Sequence, residues 1–163
     1  MFKHSVSFEK KIGSSKKELW ELISSAEHLN LVHPFCMSNE SIHWDKQNSK
    51  DVLVYLNGMV YFRDFTSWDD ENGYELMIGR KRGKKSRVVW KIKSDDKSVS
   101  LKITVFPYLL SNWPRIMSLI PYKFIISPLL KSYLKSVISG INYYLINQKP
   151  VKKNHFGKHI WFS

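Results

Sequence analysis

Residues 127–147 read SPLLKSYLKSVISGINYYLIN, and they predict the helix on which the fold depends. Ser127 followed by Pro128 is typical of a helix start, because serine caps the first turn and proline suits the first helical position. Apolar residues then recur at helical spacing, and Pro150 closes the segment. About 20 residues at 1.5 Å each predict a helix roughly 30 Å long. The recurring apolar residues are Leu130, Leu134, Val137, Ile138, Ile141 and Leu145.

The stretch before this helix, from about residue 38 to 106, alternates with a period of two and predicts β-strands. Four turn signals divide it, at Asn57-Gly58 and at residues 69–73, 82–84 and 94–97. Because short turns join neighbouring strands that run in opposite directions, we expect an antiparallel meander. Residues 2–12 also alternate, which brings the sheet to about seven strands.

Two short helices are expected after the first strand. Ser15 and Glu18 form the capping-box pattern S-x-x-E, which predicts a helix near residues 15–26. A second helical turn over residues 27–31 should end before Pro34, since residues that precede proline avoid the helical conformation.

This order of elements resembles the helix-grip fold of the START / polyketide-cyclase-like (SRPBCC) superfamily. The likeness is carried by residues 6–15 (VSFEKKIGSS), by residues 18–20 (ELW), and by His28-Leu29 and His33-Pro34. Residues 154–163 (NHFGKHIWFS) also resemble the ending of some bacterial members. The insertion at 107–127 departs from compact members, whose last strand leads more directly into the helix.

The resemblance implies an α+β fold in which a curved antiparallel sheet wraps around the long C-terminal helix. It also implies a cavity between sheet and helix that holds a hydrophobic ligand such as a lipid, sterol or polyketide. Some members of the superfamily carry out cyclisation or hydration there, and many only bind.

Size and composition favour a single domain over residues 1–163, with a lid at 107–127 and a tail at 151–163. Cys36 is the only cysteine, which excludes an internal disulfide. The first residues lack the apolar core of a signal peptide, and the charge-free runs near the C-terminus are shorter than the roughly 20 residues of a membrane span. We therefore expect a cytoplasmic protein, free or peripheral at a membrane.

Charge is distributed unevenly along the chain. The net charge is +12, and all 14 acidic residues precede residue 97. Residues 97–163 hold 10 Lys and Arg together with many aromatic side chains. This composition predicts contact with an apolar or anionic partner such as a membrane surface. The alternative is that the excess charge only aids solubility.

The predicted ligand-binding residues come from the inward faces of the strands and of the long helix. Trp90 and Ile103 should face inward because their neighbours include lysines. The strand after Asn57-Gly58 is ambiguous, since either Arg63 or Asp64 faces inward, and we expect the inward one to lie near the rim in solvent. A closed core would show the same pattern as a cavity. The predicted set is Tyr55, Tyr61, Arg63, Trp90, Ile103, Leu134, Ile138 and Ile141.

Residues 106–127, FPYLLSNWPRIMSLIPYKFIIS, combine aromatic residues with flanking cations. Such side chains favour a membrane interface, so we expect a lid that touches a membrane, or else an ordinary packed cover. Asn112 should cap a short helix that Pro121 ends. The candidate lid or membrane residues are Tyr108, Trp113, Arg115, Tyr122 and Lys123.

Residues 80–87 hold six basic residues in eight and predict either a solvated hairpin tip or an anion-binding finger. No aromatic residue is interleaved for base stacking, which disfavours nucleic acid as a partner. The anion-binding candidates are Arg80, Arg82, Lys84, Lys85 and Arg87.

The histidines and the cysteine carry no recognised catalytic or metal-binding spacing. His28, His33 and Cys36 lie close in sequence without matching a nucleophile motif, and His155 and His159 have no carboxylate in their half of the chain. We assign no catalytic residue, metal ligand or cofactor, and the oligomeric state stays open.

Three functions follow in order of preference. The first is binding or transport of a hydrophobic small molecule at the cavity. The second is a cyclase- or dehydratase-type enzyme that uses Tyr55, Tyr61, Arg63 or Asp64. The third is a basic interaction protein with a closed core.

Overall fold

The computed structural model describes residues 2–109 and 114–163, with only the backbone at 115, 116 and 118. Within these ranges a seven-stranded sheet is flanked by helices. The strands are β1 (Val6–Ile12), β2 (Cys36–His43), β3 (Lys50–Tyr55), β4 (Val60–Asp69), β5 (Gly73–Gly79), β6 (Ser86–Asp95) and β7 (Ser98–Phe106). The helices are α1 (Lys16–Ile23), α2 (Leu29–Val32), α3 (Arg115–Pro121) and α4 (Ser127–Asn147).

The sheet is antiparallel throughout, with the order β1-β7-β6-β5-β4-β3-β2. Consecutive hairpins build β2 to β7, and β1 closes the far side against β7. The curved sheet encloses α4, whose contacts include β1, β7 and α2. The predicted helix-grip architecture is therefore confirmed.

The capping box at the start of α1 forms as predicted. The Ser15 hydroxyl accepts from the Glu18 backbone N–H at 3.2 Å, and the Glu18 carboxylate accepts from the Ser15 N–H at 3.0 Å. Together these bonds satisfy two backbone donors at the exposed end of the helix. Leu19, Leu22 and Ile23 then point into the core.

The prediction that Pro121 ends one helix and Ser127 caps the next is wrong. A π-helical turn, Tyr122–Ile126, joins α3 to α4 without a break, and Ser127 itself has helical φ and ψ. The π-turn directly follows Pro121, which has no N–H for the regular helical ladder, so a wider turn accommodates the proline. The predicted cap Asn112 lies outside the described residues.

The continuous helix also corrects the estimate of apolar length. Leu119–Asn147 spans 29 residues with a mean hydropathy of 1.2 in its most apolar window, so by length and composition it could cross a membrane. About 44% of that window is buried inside the protein. Its inner face packs against the sheet. The core helix of a soluble protein can have the same length and apolar content.

Gly140 brings α4 and α2 into close contact. A Cβ atom built on Gly140 would lie 2.1 Å from the backbone oxygen of Val32, nearer than any side-chain carbon can come. Glycine at this position therefore permits the close approach of α4 and α2.

Candidate functional site

A cavity of about 390 Å³ lies between the sheet and α4. Strands β3 to β7 provide one wall, and α4 provides the other. The wall from the sheet is formed by Leu53, Tyr55, Tyr61, Arg63, Leu76, Ile78, Ser86, Val88, Trp90, Ile103 and Val105. The helix contributes Leu130, Tyr133, Leu134 and Val137. A space lined in this way can hold an apolar molecule, with a few polar groups to orient it.

The cavity reaches the surface at one end of the sheet. Tyr61, Ile78 and Ser86 lie at adjacent strand ends, because Ile78 pairs with Ser86 and the residue after Tyr61 pairs with Gly79. All three are half-buried, whereas Trp90 and Ile103 further in are almost fully buried. The deep end is therefore apolar and enclosed, and the rim is partly exposed to solvent.

The charged side chain of β4 that faces inward is Arg63. We expected this side chain to lie near the rim in solvent, but it is buried. Arg63 is 2% exposed and lines the cavity, and its partner Asp51 is fully buried on β3. Arg63 Nε donates to Asp51 Oδ1 at 2.7 Å, and Nη2 donates to Oδ2. The guanidinium also stacks 5.4 Å from the centre of the Phe65 ring. A bidentate pair compensates the cost of burying both charges.

Asp64 points to the opposite face of the sheet, where it forms an ion pair with Lys85. Asp64 is not among the residues that line the cavity. The acidic group that the enzyme hypothesis placed inside the cavity is therefore absent from its described wall.

A second polar feature of the wall is a chain of three side chains. His33 Nε2 lies 2.8 Å from the Tyr133 hydroxyl, which lies 3.1 Å from the Tyr55 hydroxyl. At the other side of the imidazole, the Phe35 backbone N–H donates to His33 Nδ1 at 3.2 Å. Burial, helped by the positive charge of Arg63, lowers the pKa of His33 to about 3, so the ring is neutral.

The segment after α4, residues 151–163, forms part of the cavity wall. Its backbone is fixed by hydrogen bonds from Val151 N to Leu31 O at 2.8 Å and from Asn154 N to Pro34 O at 2.8 Å. Phe162 then stacks on Tyr55 with ring centres 4.5 Å apart, and Ile160 and Trp161 also reach the cavity. The tail, for which the sequence showed no period, is therefore an ordered structural element.

Of the eight predicted ligand-binding residues, six line the cavity. They are Tyr55, Tyr61, Arg63, Trp90, Ile103 and Leu134. Ile138 and Ile141 are fully buried on α4 but are not among the lining residues, so they belong to the closed part of the core. The two alternatives left open by the sequence, cavity and closed core, thus occur at different heights of the same helix.

The candidate lid residues separate into different environments. Tyr108 lines the cavity, and Lys123 is exposed, with its ammonium 5.9 Å from the Phe124 ring centre. Tyr122 is buried and stacks on His4 with ring centres 4.1 Å apart, which fits the alternative of a packed cover at this position. Trp113 and the side chain of Arg115 lie outside the described part of the chain.

The basic residues of the β5–β6 turn stand beside the cavity rim. Lys85 pairs with Asp64, and Arg87 binds Glu75 with two bonds of 2.8 and 2.9 Å. Arg80, Arg82 and Lys84 are exposed at the turn. Two of the five predicted anion-binding residues are thus already held by carboxylates.

The remaining histidines and Cys36 have structural surroundings. Burial raises the pKa of the Cys36 thiol to about 12, which leaves it a poor nucleophile. His28 is buried, and its Nδ1 donates to the Ser25 carbonyl at 2.8 Å. His159 Nε2 donates to the Leu129 carbonyl at 3.0 Å. Across residues 2–109 and 114–163, no three potential metal ligands are grouped to hold a metal ion.

Sequence reasoning missed three polar residues of the site: Asp51, the cavity-lining role of His33, and Tyr133. Asp51 precedes Leu53 and Tyr55 in strict alternation, so the inward phase of β3 contained the signal. Tyr133 neighbours Leu134 on the predicted helix, but helical spacing alone did not distinguish it from a surface residue.

The comparisons with known proteins identify the fold. No protein-family model and no curated protein matches this chain. Among solved structures, it is similar to DynU16, a protein of the dynemicin biosynthetic locus, with 11% identity and a TM-score of 0.68 over 90% of this chain. The chain spans about half of DynU16, 48% of its length.

Two further structures match along nearly their whole length. Ara h 8.0201 shares 13% identity with a TM-score of 0.61, over 88% of this chain and 97% of its own. TTHA0849 from Thermus thermophilus shares 13% identity with a TM-score of 0.65, over 89% of this chain and 99% of its own. These likenesses place the protein in the class of helix-grip folds.

Proposed function

We propose that this protein binds a hydrophobic small molecule in the cavity between the sheet and α4. The observation that carries the proposal is the cavity itself, about 390 Å³ of space with a mostly apolar wall. A protein whose interior served only stability would fill such a space with side chains, because interiors are close-packed. The similarity to helix-grip proteins supports the same assignment.

The arrangement of the wall supports binding of a whole small molecule. The apolar side chains of Trp90, Ile103 and Leu134 line the space, and polar groups occur at only a few points. At about 25 cal/mol for each Å² of apolar surface removed from water, burial in such a site favours ligands with little polar area.

Two neighbouring valines on β6 provide a matched test. Val88 lines the cavity, whereas Val89 faces the other side of the sheet. Val88→Trp should fill part of the cavity and weaken binding of the apolar dye 1-anilinonaphthalene-8-sulfonate at least tenfold. Val89→Trp should leave dye affinity within twofold of the unsubstituted protein. Equal affinity in all three proteins would refute the proposal.

We further propose that the protein loads its ligand at an anionic membrane surface, through α3 and the π-turn. Large apolar side chains are exposed there, on the same continuous helical run as Leu130, which belongs to the cavity wall. They are Met117 (62% exposed), Leu119 (48%), Ile120 (70%), Phe124 (69%) and Ile125 (57%). The same helical run carries the exposed cations Lys123, Lys131 and Lys135, and residues 97–163 hold no acidic residue to repel anionic lipid.

A further inference from the structure

The His33–Tyr133–Tyr55 chain has a definite hydrogen-bond direction. Because His33 Nδ1 accepts from the Phe35 N–H, the proton of the neutral ring is on Nε2. Nε2 must then donate to the Tyr133 oxygen at 2.8 Å. The tautomer is thus set by a backbone amide whose own orientation is fixed by the fold.

The three side chains together have one more donor hydrogen than the hydrogen bonds between them use. His33 Nε2–H, the Tyr133 hydroxyl and the Tyr55 hydroxyl supply three hydrogens, but the chain contains only two contacts between its members. One of the two tyrosines donates across the 3.1 Å contact. The hydroxyl hydrogen of the other tyrosine then has no acceptor among these three side chains. All three residues line the cavity, so the unused hydrogen is available to a molecule inside it.

The electrostatic surroundings also favour an acceptor at this point. Arg63 lines the same cavity, and its positive charge acts on both phenols, lowering the pKa of Tyr133 and Tyr55 against the larger effect of burial that raises them. The partner of Arg63, Asp51, is not among the lining residues, so the guanidinium is the member of this ion pair that faces the cavity and favours the negative end of a ligand dipole.

We infer that the cavity selects an apolar ligand that carries one hydrogen-bond-accepting oxygen of the carbonyl type, held by the Tyr55–Tyr133 hydroxyl pair. This inference rests on the proposed ligand-binding function and specifies its chemical class. A buried donor that stays without an acceptor destabilises a complex, so a hydrocarbon of the same shape should bind more weakly.

The test uses two probes with one carbon skeleton, 9-fluorenone with a carbonyl and fluorene with a methylene in its place. The unsubstituted protein should bind fluorenone about tenfold more tightly than fluorene, the ratio expected for one net hydrogen bond. The double variant Tyr55→Phe/Tyr133→Phe should bind the two probes within about twofold of each other. Tyr74→Phe is the matched control, because Tyr74 is a buried tyrosine that does not line the cavity, so removing its hydroxyl should leave the preference intact.

Infrared spectroscopy gives a second readout that a purely structural role of the tyrosines would not change. The carbonyl stretch of bound fluorenone should lie at lower wavenumber than that of free fluorenone in the unsubstituted protein and in Tyr74→Phe, and should return to the free value in the double variant. Equal affinity for both probes, or an unshifted carbonyl band, would overturn the inference while leaving ligand binding intact. Failure of both probes to bind would instead overturn the proposed function together with this inference.

Discussion

Asp51 and Arg63 face each other across β3 and β4, and their ion pair is buried in the wall of the cavity. Removing one partner would leave the other charge buried and uncompensated. We expect Asp51→Leu and Arg63→Met each to lower the free energy of unfolding by about 3–5 kcal/mol. The double variant should lose much less than the sum of the two. Urea unfolding of all four proteins measures this coupling, and strictly additive losses would contradict it.

Gly140→Ala tests the close contact of α4 with α2. Alanine favours a helix over glycine by about 1 kcal/mol, so the substitution would be stabilising in open space. The new Cβ would instead meet the Val32 carbonyl oxygen, and we expect a net loss of about 1–3 kcal/mol. Ser132→Ala, at an exposed position of the same helix, is the control and should be neutral or slightly stabilising. A midpoint of thermal unfolding that is higher for Gly140→Ala than for the unsubstituted protein would refute the contact.

The buried histidines should make the protein sensitive to mild acid. Desolvation lowers the pKa of both His28 and His33 from 6.5 to about 3 in the folded state. Between pH 7 and pH 5 the two histidines therefore bind protons in the unfolded chain but stay neutral in the folded protein. The free energy of unfolding falls as the pH falls. Each histidine should contribute a loss of about 2 kcal/mol over that interval.

Urea unfolding at several pH values checks this expectation. His28→Phe keeps a ring against Trp90 but removes one titrating group, so its stability should decline with roughly half the slope. A slope that is the same in the variant as in the unsubstituted protein would show that His28 titrates normally.

Membrane docking should depend on the exposed apolar residues of α3 and the π-turn. Ile120→Glu/Phe124→Glu should reduce sedimentation with vesicles of phosphatidylcholine and phosphatidylglycerol at least fivefold, because the carboxylates oppose both insertion and anionic lipid. Ile42→Glu is a control, since Ile42 is 59% exposed on β2, away from this helix. Equal sedimentation of both variants, or equal binding to pure phosphatidylcholine, would contradict the docking proposal.

The sequence predicted the architecture because the relevant signals are local. The alternation in β3 to β7, the four turns and the capping box at Ser15 each specify their element with neighbouring residues alone. The inward sets around Trp90 and Ile103 followed from the lysines between them. The connection between α3 and α4 was predicted wrongly, because Pro121 suggested the end of a helix. The helix instead continues through a π-turn into α4.

The pairing of Asp51 with Arg63 could not be predicted, because it depends on a one-residue difference in register. A two-residue Asn57-Gly58 loop would have paired Asp51 with Asp64. The structure has a three-residue loop, with Gly58 at φ 82° and the Tyr55 N–H bonded to the Met59 carbonyl at 2.9 Å, which pairs Asp51 with Arg63. Similarly, the contact of Phe162 with Tyr55 joins residues far apart in sequence, so no periodicity could reveal it.

Xenon binding in crystals of the protein tests the central claim most directly. Dry apolar cavities take up xenon, whereas packed cores and polar, water-filled spaces do not. We predict an anomalous xenon peak between Trp90, Ile103 and Leu134, the residues that enclose the deep end of the cavity. Density showing that space filled by side chains or by ordered water, with no xenon present, would contradict the account.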